Sequence, residues 1–134
     1  MMHLDTSFAA DLLREARRGQ AGPAMGMRAR LADEELSISV HVACELLAGA
    51  ELSRHRVEER QRVLSFCHAV QVAYPNEQFP QVYGRLQASL QRTGHTIGTM
   101  DLLIATAAIL DGATLITRNV KEFSLVPGLN VVDY

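Results

Sequence analysis

The chain has few of the features that mark secreted, membrane-spanning or strongly basic proteins. Only two of its 134 residues are cysteines, Cys44 and Cys67, and their spacing fits neither a zinc site nor a disulfide scaffold. We expect two reduced thiols packed in the core of a cytoplasmic protein. The most apolar segment, from Leu102 to Leu110, is far shorter than the roughly 20 residues that cross a bilayer, so neither a membrane span nor a secretion signal is expected.

An excess of positive charge is also missing. The chain has 13 lysines and arginines against 15 aspartates and glutamates, a net charge of −2, which gives no general field for binding nucleic acid. The arginines that do cluster, in REARR, RAR and RHRVEERQR, fit solvated helix faces at least as well as phosphate contacts. The five histidines form neither an HxxxH nor an HExxH pattern, so a zinc site is not expected.

What the chain does have is an alternation of short apolar strands with helical patterns. Its length predicts one domain over residues 1–134. Alternating elements of this kind predict an α/β fold with a parallel sheet covered by helices on both faces. The predicted strands are Met1 to Leu4, Leu36 to Ser39, Val70 to Tyr74, Ala113 to Thr117 and Leu129 to Tyr134, and the predicted helices cover 7–18, 27–35, 40–52, 54–68, 79–93 and 99–111.

Three acids fall where such a sheet would bring them together. Asp5 follows the first strand, Glu45 lies on the helix after the second, and Asp101 begins a helix that is apolar on every side. Ligands of open parallel sheets bind outside the carboxyl ends of the strands. Each acid also has an ordinary structural role open to it: Asp5 as a helix N-cap, Asp101 as an acid in a first helical turn, and Glu45 on a solvent-facing side.

A shared cation would explain the three acids together. Carboxylates brought to one sheet edge repel each other unless something positive lies between them. Oxygen ligands without histidine or cysteine favour Mg²⁺ or Mn²⁺. Such a site suits phosphodiester hydrolysis, because the ion activates water and offsets the charge on phosphate oxygens.

Three stretches point to a known family: HLDTSF, ISVHVACELLAGAE and VYGRLQASLQRTGHTIGTMDLLIATAAILDGATLITRNVKEFSLVPGLNVVDY. Together they resemble the PIN-domain ribonucleases, in particular the VapC-type toxins of bacterial toxin-antitoxin pairs. That family commonly carries a G-x-x-I-G-x-x-D-x-L-I-A-A block followed by T-x-N-x-x-x-F and V-P-G-L. The resemblance implies an α/β/α sandwich with about five parallel strands and a Mg²⁺ or Mn²⁺ site made by Asp5, Glu45 and Asp101.

The resemblance also assigns supporting residues. It implies that Asn119 is the fourth catalytic position, where many relatives have Asp, and that Thr117 lies beside it. Ser7 stands where the family usually has Asn, while Thr6 keeps its family identity, and both are expected to support the site. Arg118 and Lys121 are candidates to contact phosphates, although ordinary exposed charges are equally open.

The expected function is that of an endoribonuclease toxin that cuts tRNA or ribosomal RNA and leaves a 5′-phosphate and a 3′-hydroxyl. By the same resemblance, its partners are an inhibitory VapB-type antitoxin and a second copy of the chain in a homodimer. The sequence leaves two alternatives open. One is a catalytically silent PIN-like binding module. The other is an aspartyl-phosphate phosphotransfer protein, which lacks support because the chain has neither the acid of a receiver domain after its third strand nor the D-x-D of a phosphatase.

Overall fold

Five short strands form the centre of the molecule. The structure is a computed structural model that describes residues 1–134. Its strands are Met2–Leu4 (β1), Leu36–Ser39 (β2), Gln71–Ala73 (β3), Thr114–Ile116 (β4) and Asn130–Val132 (β5). They pair in the order β3-β2-β1-β4-β5, and all four pairings are parallel. The predicted α/β fold with a five-stranded parallel sheet is therefore confirmed.

Seven helices connect and cover the strands: Thr6–Arg18 (α1), Pro23–Arg30 (α2), Val40–Glu51 (α3), Arg56–Ala69 (α4), Phe79–Arg92 (α5), Thr99–Leu110 (α6) and Val120–Phe123 (α7). The prediction for α2 was displaced, because it started at Met27 and the helix starts at Pro23. Proline suits a first helical turn, where its missing N–H is not needed. The Glu15 carboxylate accepts hydrogen bonds from Gly22 N and Met25 N at 2.7 and 2.8 Å, which anchors that turn.

The strand order places one crevice at the centre of the sheet. The chain runs from β1 outward through β2 and β3, then returns to the other side of β1 to form β4 and β5. The order reverses between β1 and β4, and ligands of open parallel sheets bind beside such a reversal. Asp5 follows β1 directly and Thr117 follows β4, so both stand at this point.

The core contains the apolar helix that the sequence predicted. Six residues of α6 between Leu102 and Ala108 are buried, and the helix packs against α3, α5, β2 and β4. The prediction of two core-packing thiols was wrong for Cys44, whereas Cys67 packs against the core. Cys44 is exposed because the buried stripe of α3 runs through Val42, Ala43 and Leu46, and Cys67 is only half-buried. None of the helices is long and apolar enough to span a membrane.

Candidate active site

A cleft of about 610 Å³ lies at the carboxyl ends of β1 and β4. Asp5 enters it from the end of β1, Glu45 from the second turn of α3, and Asp101 from the first turn of α6. We call this space the acid cleft. Of the predicted site residues, those that line it are Asp5, Thr6, Ser7, Glu45, Asp101, Arg118 and Asn119. The structure thus brings together three acids that lie far apart in the sequence.

Asp5 is the most buried of the three acids and has three hydrogen-bond donors. Its Oδ1 accepts from Phe8 N at 2.9 Å, which makes it the N-cap of α1, and from Ser7 Oγ at 2.7 Å. Its Oδ2 accepts from the Thr117 hydroxyl, which is fully buried beneath the cleft. Burial nevertheless raises the pKa of Asp5, against the effect of these donors and with a further rise from Glu45. The N-cap and the cleft acid are therefore one and the same residue.

Glu45 is oriented by the helix on the other side of the cleft. It is half-buried, and its Oε1 accepts a hydrogen bond from the Thr6 hydroxyl at the start of α1. The Ser39 side chain accepts from Val42 N and caps α3, which fixes the first turns of the helix that carries Glu45. Thr6 therefore acts as a support for Glu45, while Ser7 and Thr117 support Asp5.

Asp101 shows the strongest electrostatic perturbation in the cleft. Its pKa is raised to about 6, first by burial and then by the nearby Glu122 carboxylate and the negative charges of Glu45 and Asp5. Glu122, which lies on α7, was not predicted from the sequence. The available signal was its position three residues after Asn119, one helical turn further along the same segment.

Asn119 supports the site through two contacts of its own. Its side-chain amide donates to Glu122 Oε2 at 2.5 Å, and its backbone N–H donates to Thr117 Oγ1 at 2.9 Å. The amide thus holds the carboxylate that faces Asp101. The resemblance implied that Asn119 is the fourth catalytic position. The structure adds a further acid, Glu122, one helical turn after Asn119.

The cleft acids have no cationic partner. Asp5, Glu45 and Asp101 take part in none of the ion pairs of the structure, and Lys121 is exposed and forms no ion pair. The acids nevertheless do not form a complete metal site. No group of three or more His, Cys, Asp or Glu side chains is arranged to hold a metal ion. An excess of negative charge is left facing the cleft, which is the electrostatic condition that favours a cation.

The single cationic side chain that lines the cleft is paired elsewhere. Arg118 Nη2 donates to Asp11 Oδ2 at 2.6 Å, the Tyr134 hydroxyl donates to the same oxygen at 2.7 Å, and Arg14 pairs with Oδ1. We call these four residues the Asp11 cluster. Asp11 and Tyr134 were not predicted from the sequence, although Asp11 lies three residues after Phe8 on the buried stripe of α1, where an acid is unusual.

Comparisons with known proteins match this chain over most of its length. The PIN domain family matches residues 2–129. The chain is 36% identical over 104 residues to "Ribonuclease VapC1" of Haemophilus influenzae strain R2866, covering 78% of each chain. It is 30% identical over 107 residues to the "tRNA(fMet)-specific endonuclease VapC" of Salmonella typhimurium, covering 80% of this chain and 81% of the other. Its fold matches the crystal structure of VapBC2 from Rickettsia felis bound to a promoter DNA fragment, with a TM-score of 0.89, 27% identity and coverage of 100% and 99%.

Proposed function

Because the chain belongs to the PIN-domain family, among its VapC ribonucleases, we propose that it is a divalent-metal-dependent endoribonuclease toxin that hydrolyses RNA phosphodiester bonds in the cytoplasm. The observation that carries this proposal is the acid cleft. Carboxylates from β1, α3 and α6 face one space without any cationic partner. A protein that used these acids only for stability would be expected to pair them.

The donor set fits Mg²⁺ or Mn²⁺. All candidate ligands are carboxylate oxygens, namely those of Asp5, Glu45 and Asp101, and hard divalent cations prefer oxygen. The raised pKa of Asp101 reflects burial and the like charges of its neighbours, and a cation would relieve that repulsion. When bound, such an ion supplies positive charge that activates water and offsets the charge developing on phosphate oxygens.

The other side chains would prepare this site. Ser7, Phe8 N and Thr117 hold the Asp5 carboxylate in one orientation, and Thr6 does the same for Glu45. Side chains fixed in this way lose little freedom when the substrate binds, which favours catalysis through positioning. In-line attack by water on the scissile phosphate would leave a 5′-phosphate and a 3′-hydroxyl. Asn119 keeps Glu122 beside Asp101, and Arg118 is placed to contact a phosphate.

The substrate and partners follow from the relatives. One relative is named a tRNA(fMet)-specific endonuclease, which makes a structured RNA such as tRNA the first substrate to test, with ribosomal RNA next. Several solved neighbours are VapBC complexes, so we include a VapB-type antitoxin and a homodimer among the proposed partners. The acid cleft continues into a groove between α1 and α3, since Thr6, Ala10 and Glu45 line both. A peptide segment of an antitoxin could follow this groove to the acids.

The decisive experiment is a nuclease assay on total RNA with purified protein. We expect cleavage with Mg²⁺ or Mn²⁺ and none with EDTA, and we expect Asp5→Ala or Asp101→Ala to reduce the rate at least about a hundredfold, since each removes a carboxylate that orients the reacting groups. Asp33→Ala is the matched control, because Asp33 is an exposed acid that forms no ion pair, and it should cleave like the unmodified protein. Full activity of Asp101→Ala would refute the site.

The same assay separates the alternatives. A silent binding module would bind RNA or an antitoxin without cleaving RNA under any metal condition. A phosphotransfer protein would instead turn over a small phosphomonoester while leaving RNA intact. Each of these outcomes would replace the proposed function.

A further inference from the structure

We propose that Asp11 and Tyr134 are positioning residues that hold the Arg118 guanidinium at the edge of the acid cleft, where it binds a phosphate of the RNA. This inference rests on the proposed function, because it concerns how that site handles its substrate. It adds two residues, one on α1 and one at the end of the chain, that lie outside the carboxylate set. Neither lines the cleft, so both would act through Arg118.

The geometry of the Asp11 cluster is that of a buried anchor and an exposed cation. The Asp11 side chain is 8% exposed, whereas that of Arg118 is 59% exposed. One Asp11 oxygen accepts from both Arg118 Nη2 and the Tyr134 hydroxyl, at 2.6 and 2.7 Å, and the other pairs with Arg14. The carboxylate therefore cannot turn without breaking a contact to another member of the cluster.

Tyr134 fixes the arrangement from a second direction. Its ring meets Phe8 edge-on, with the ring centroids 4.6 Å apart and the planes at 88°. Arg118 Cζ lies 5.2 Å from the centroid of the Tyr134 ring, within the range of a cation–π contact. The pKa of Tyr134 is raised to about 12, by burial and by its hydrogen bond to Asp11, so the hydroxyl stays a donor at neutral pH. Arg118 is thus held by a carboxylate and supported by an aromatic face.

The charges favour a role toward substrate over a role in stability alone. Arg118 is the only cationic side chain that lines the acid cleft. A guanidinium has five N–H donors, and Asp11 occupies one of them in Arg118, so others are free for a phosphate oxygen. With two arginines against one aspartate, the cluster carries a net positive charge beside a negative cleft. That is where an RNA backbone needs a cation if it is to approach the acids.

A kinetic comparison tests this role. The experiment measures kcat and KM on one RNA substrate for Arg118→Gln, Asp11→Asn and Tyr134→Phe. Arg92→Gln is the control for loss of a positive charge, because Arg92 is exposed at the end of α5. Misplacement of a positioning group predicts a fall in kcat of about tenfold for Asp11→Asn and about threefold for Tyr134→Phe, with the largest loss for Arg118→Gln and almost none for Arg92→Gln. Thermal unfolding of each variant confirms that it is folded, and if Asp11→Asn does not fold, Tyr134→Phe decides.

The sign of the Asp11→Asn effect is the sharpest part of the test. This substitution removes a negative charge, so a mechanism based on charge alone predicts tighter RNA binding and faster turnover. Loss of positioning predicts slower turnover in spite of the more positive protein. An Asp11→Asn or Tyr134→Phe protein that is folded and cleaves as fast as the unmodified chain would overturn the inference while leaving the proposed function intact.

A binding measurement gives an answer that does not depend on cleavage. Unfractionated tRNA is titrated into the Asp101→Asn protein over a range of KCl concentrations, alone and combined with each cluster variant. A lost phosphate contact predicts that Arg118→Gln lowers the slope of log affinity against log salt by about 0.7–0.9. Asp11→Asn should weaken binding, and tighter binding would count against the inference. If the unmodified protein cleaves no RNA, the proposed function fails and this titration still decides whether the cluster serves RNA.

Discussion

Two neighbouring regions of the molecule, the acid cleft and the Asp11 cluster, treat their carboxylates in opposite ways. Asp11 is almost fully buried, and burial alone would raise its pKa, but the hydrogen bonds from Tyr134 and Arg14 and the charges of the two arginines lower it. Asp101 is only half-buried, yet its pKa rises to about 6. In Asp11 the hydrogen-bond donors and the arginines together outweigh the effect of burial, whereas in Asp101 burial and the negative neighbours raise the pKa together.

The opposite pKa shifts distinguish Asp11, whose negative charge is compensated by neighbouring donors and cations, from Asp101, whose negative charge is not. Asp11 has cations and a hydroxyl donor within hydrogen-bond distance, so an added cation has little to offer it. Asp101 faces Glu122, Glu45 and Asp5 instead, and each of these raises the energy of its ionised form. A cation bound in the cleft would relieve this repulsion, whereas in the cluster ionic contacts already compensate the carboxylate.

The largest expected effect is a difference in stability between the two regions, measured without metal. In EDTA at pH 7.5, Asp11→Asn should lower the free energy of unfolding by about 1–3 kcal/mol, because it weakens charged hydrogen bonds to a buried group. Asp101→Asn should raise it, because it removes a repelling charge while keeping a polar side chain beside Glu122. Urea titration followed by circular dichroism measures both.

The control for this comparison is Asp33→Asn, a change at an exposed acid that forms no ion pair, and its stability should stay within about 0.5 kcal/mol of that of the unmodified protein. If Asp101→Asn lost as much stability as Asp11→Asn, the cleft acids would be as well compensated as the cluster. The contrast between the regions would then be wrong.

A second and smaller effect is expected in acid. The folded-state pKa of Asp11 is lowered, so its contribution to stability is fully present above the unfolded value near 3.9 and is lost as the pH falls through the folded value. The unmodified protein should lose stability more steeply than Asp11→Asn as the pH falls below about 4, and the two curves should converge. Chemical unfolding at a series of pH values tests this. Parallel curves over that range would show that Asp11 gains nothing from its partners.

The sequence predicted most of the fold and the meeting of the three acids at one edge of the sheet, because both follow from local patterns. Apolar runs and caps located the strands and helices, and the parallel arrangement placed the residue after β1 and the helices after β2 and before β4 at one edge. The alternation of elements carried this information, and the apolar character of α6 drew attention to Asp101. Asp5 and Ser39 were recognisable as caps for the same reason.

The partners of those residues were not predictable in the same way. The Asp11 contacts to Arg118 and Tyr134 join positions 107 and 123 residues apart, and no periodic pattern links such positions. Glu122 was hidden because one acid in a short polar helix looks like an ordinary surface charge. The exposure of Cys44 was not predicted, because cysteine is usually a buried residue type. The position of Cys44 on the helix lies outside the buried stripe. Contacts that depend on the direction of a side chain can be identified only in the folded structure.

The smallest expected effect comes from adding a charge to the cleft. Asn119→Asp replaces an amide that donates to Glu122 at 2.5 Å with a carboxylate, and like charges three residues apart on a helical turn cost about 0.2–0.5 kcal/mol. We expect this loss of stability in EDTA. A matched change, Asn130→Asp on the exposed position of β5, should leave stability unchanged.

In Mn²⁺ we expect the opposite result, with Asn119→Asp more stable than the unmodified protein. The added oxygen ligand strengthens cation binding, and binding to the native state raises its stability. Calorimetric titration with Mn²⁺ measures the affinity directly. An Asn119→Asp protein that neither loses stability in EDTA nor binds Mn²⁺ more tightly would show that this position does not share the field of the cleft acids.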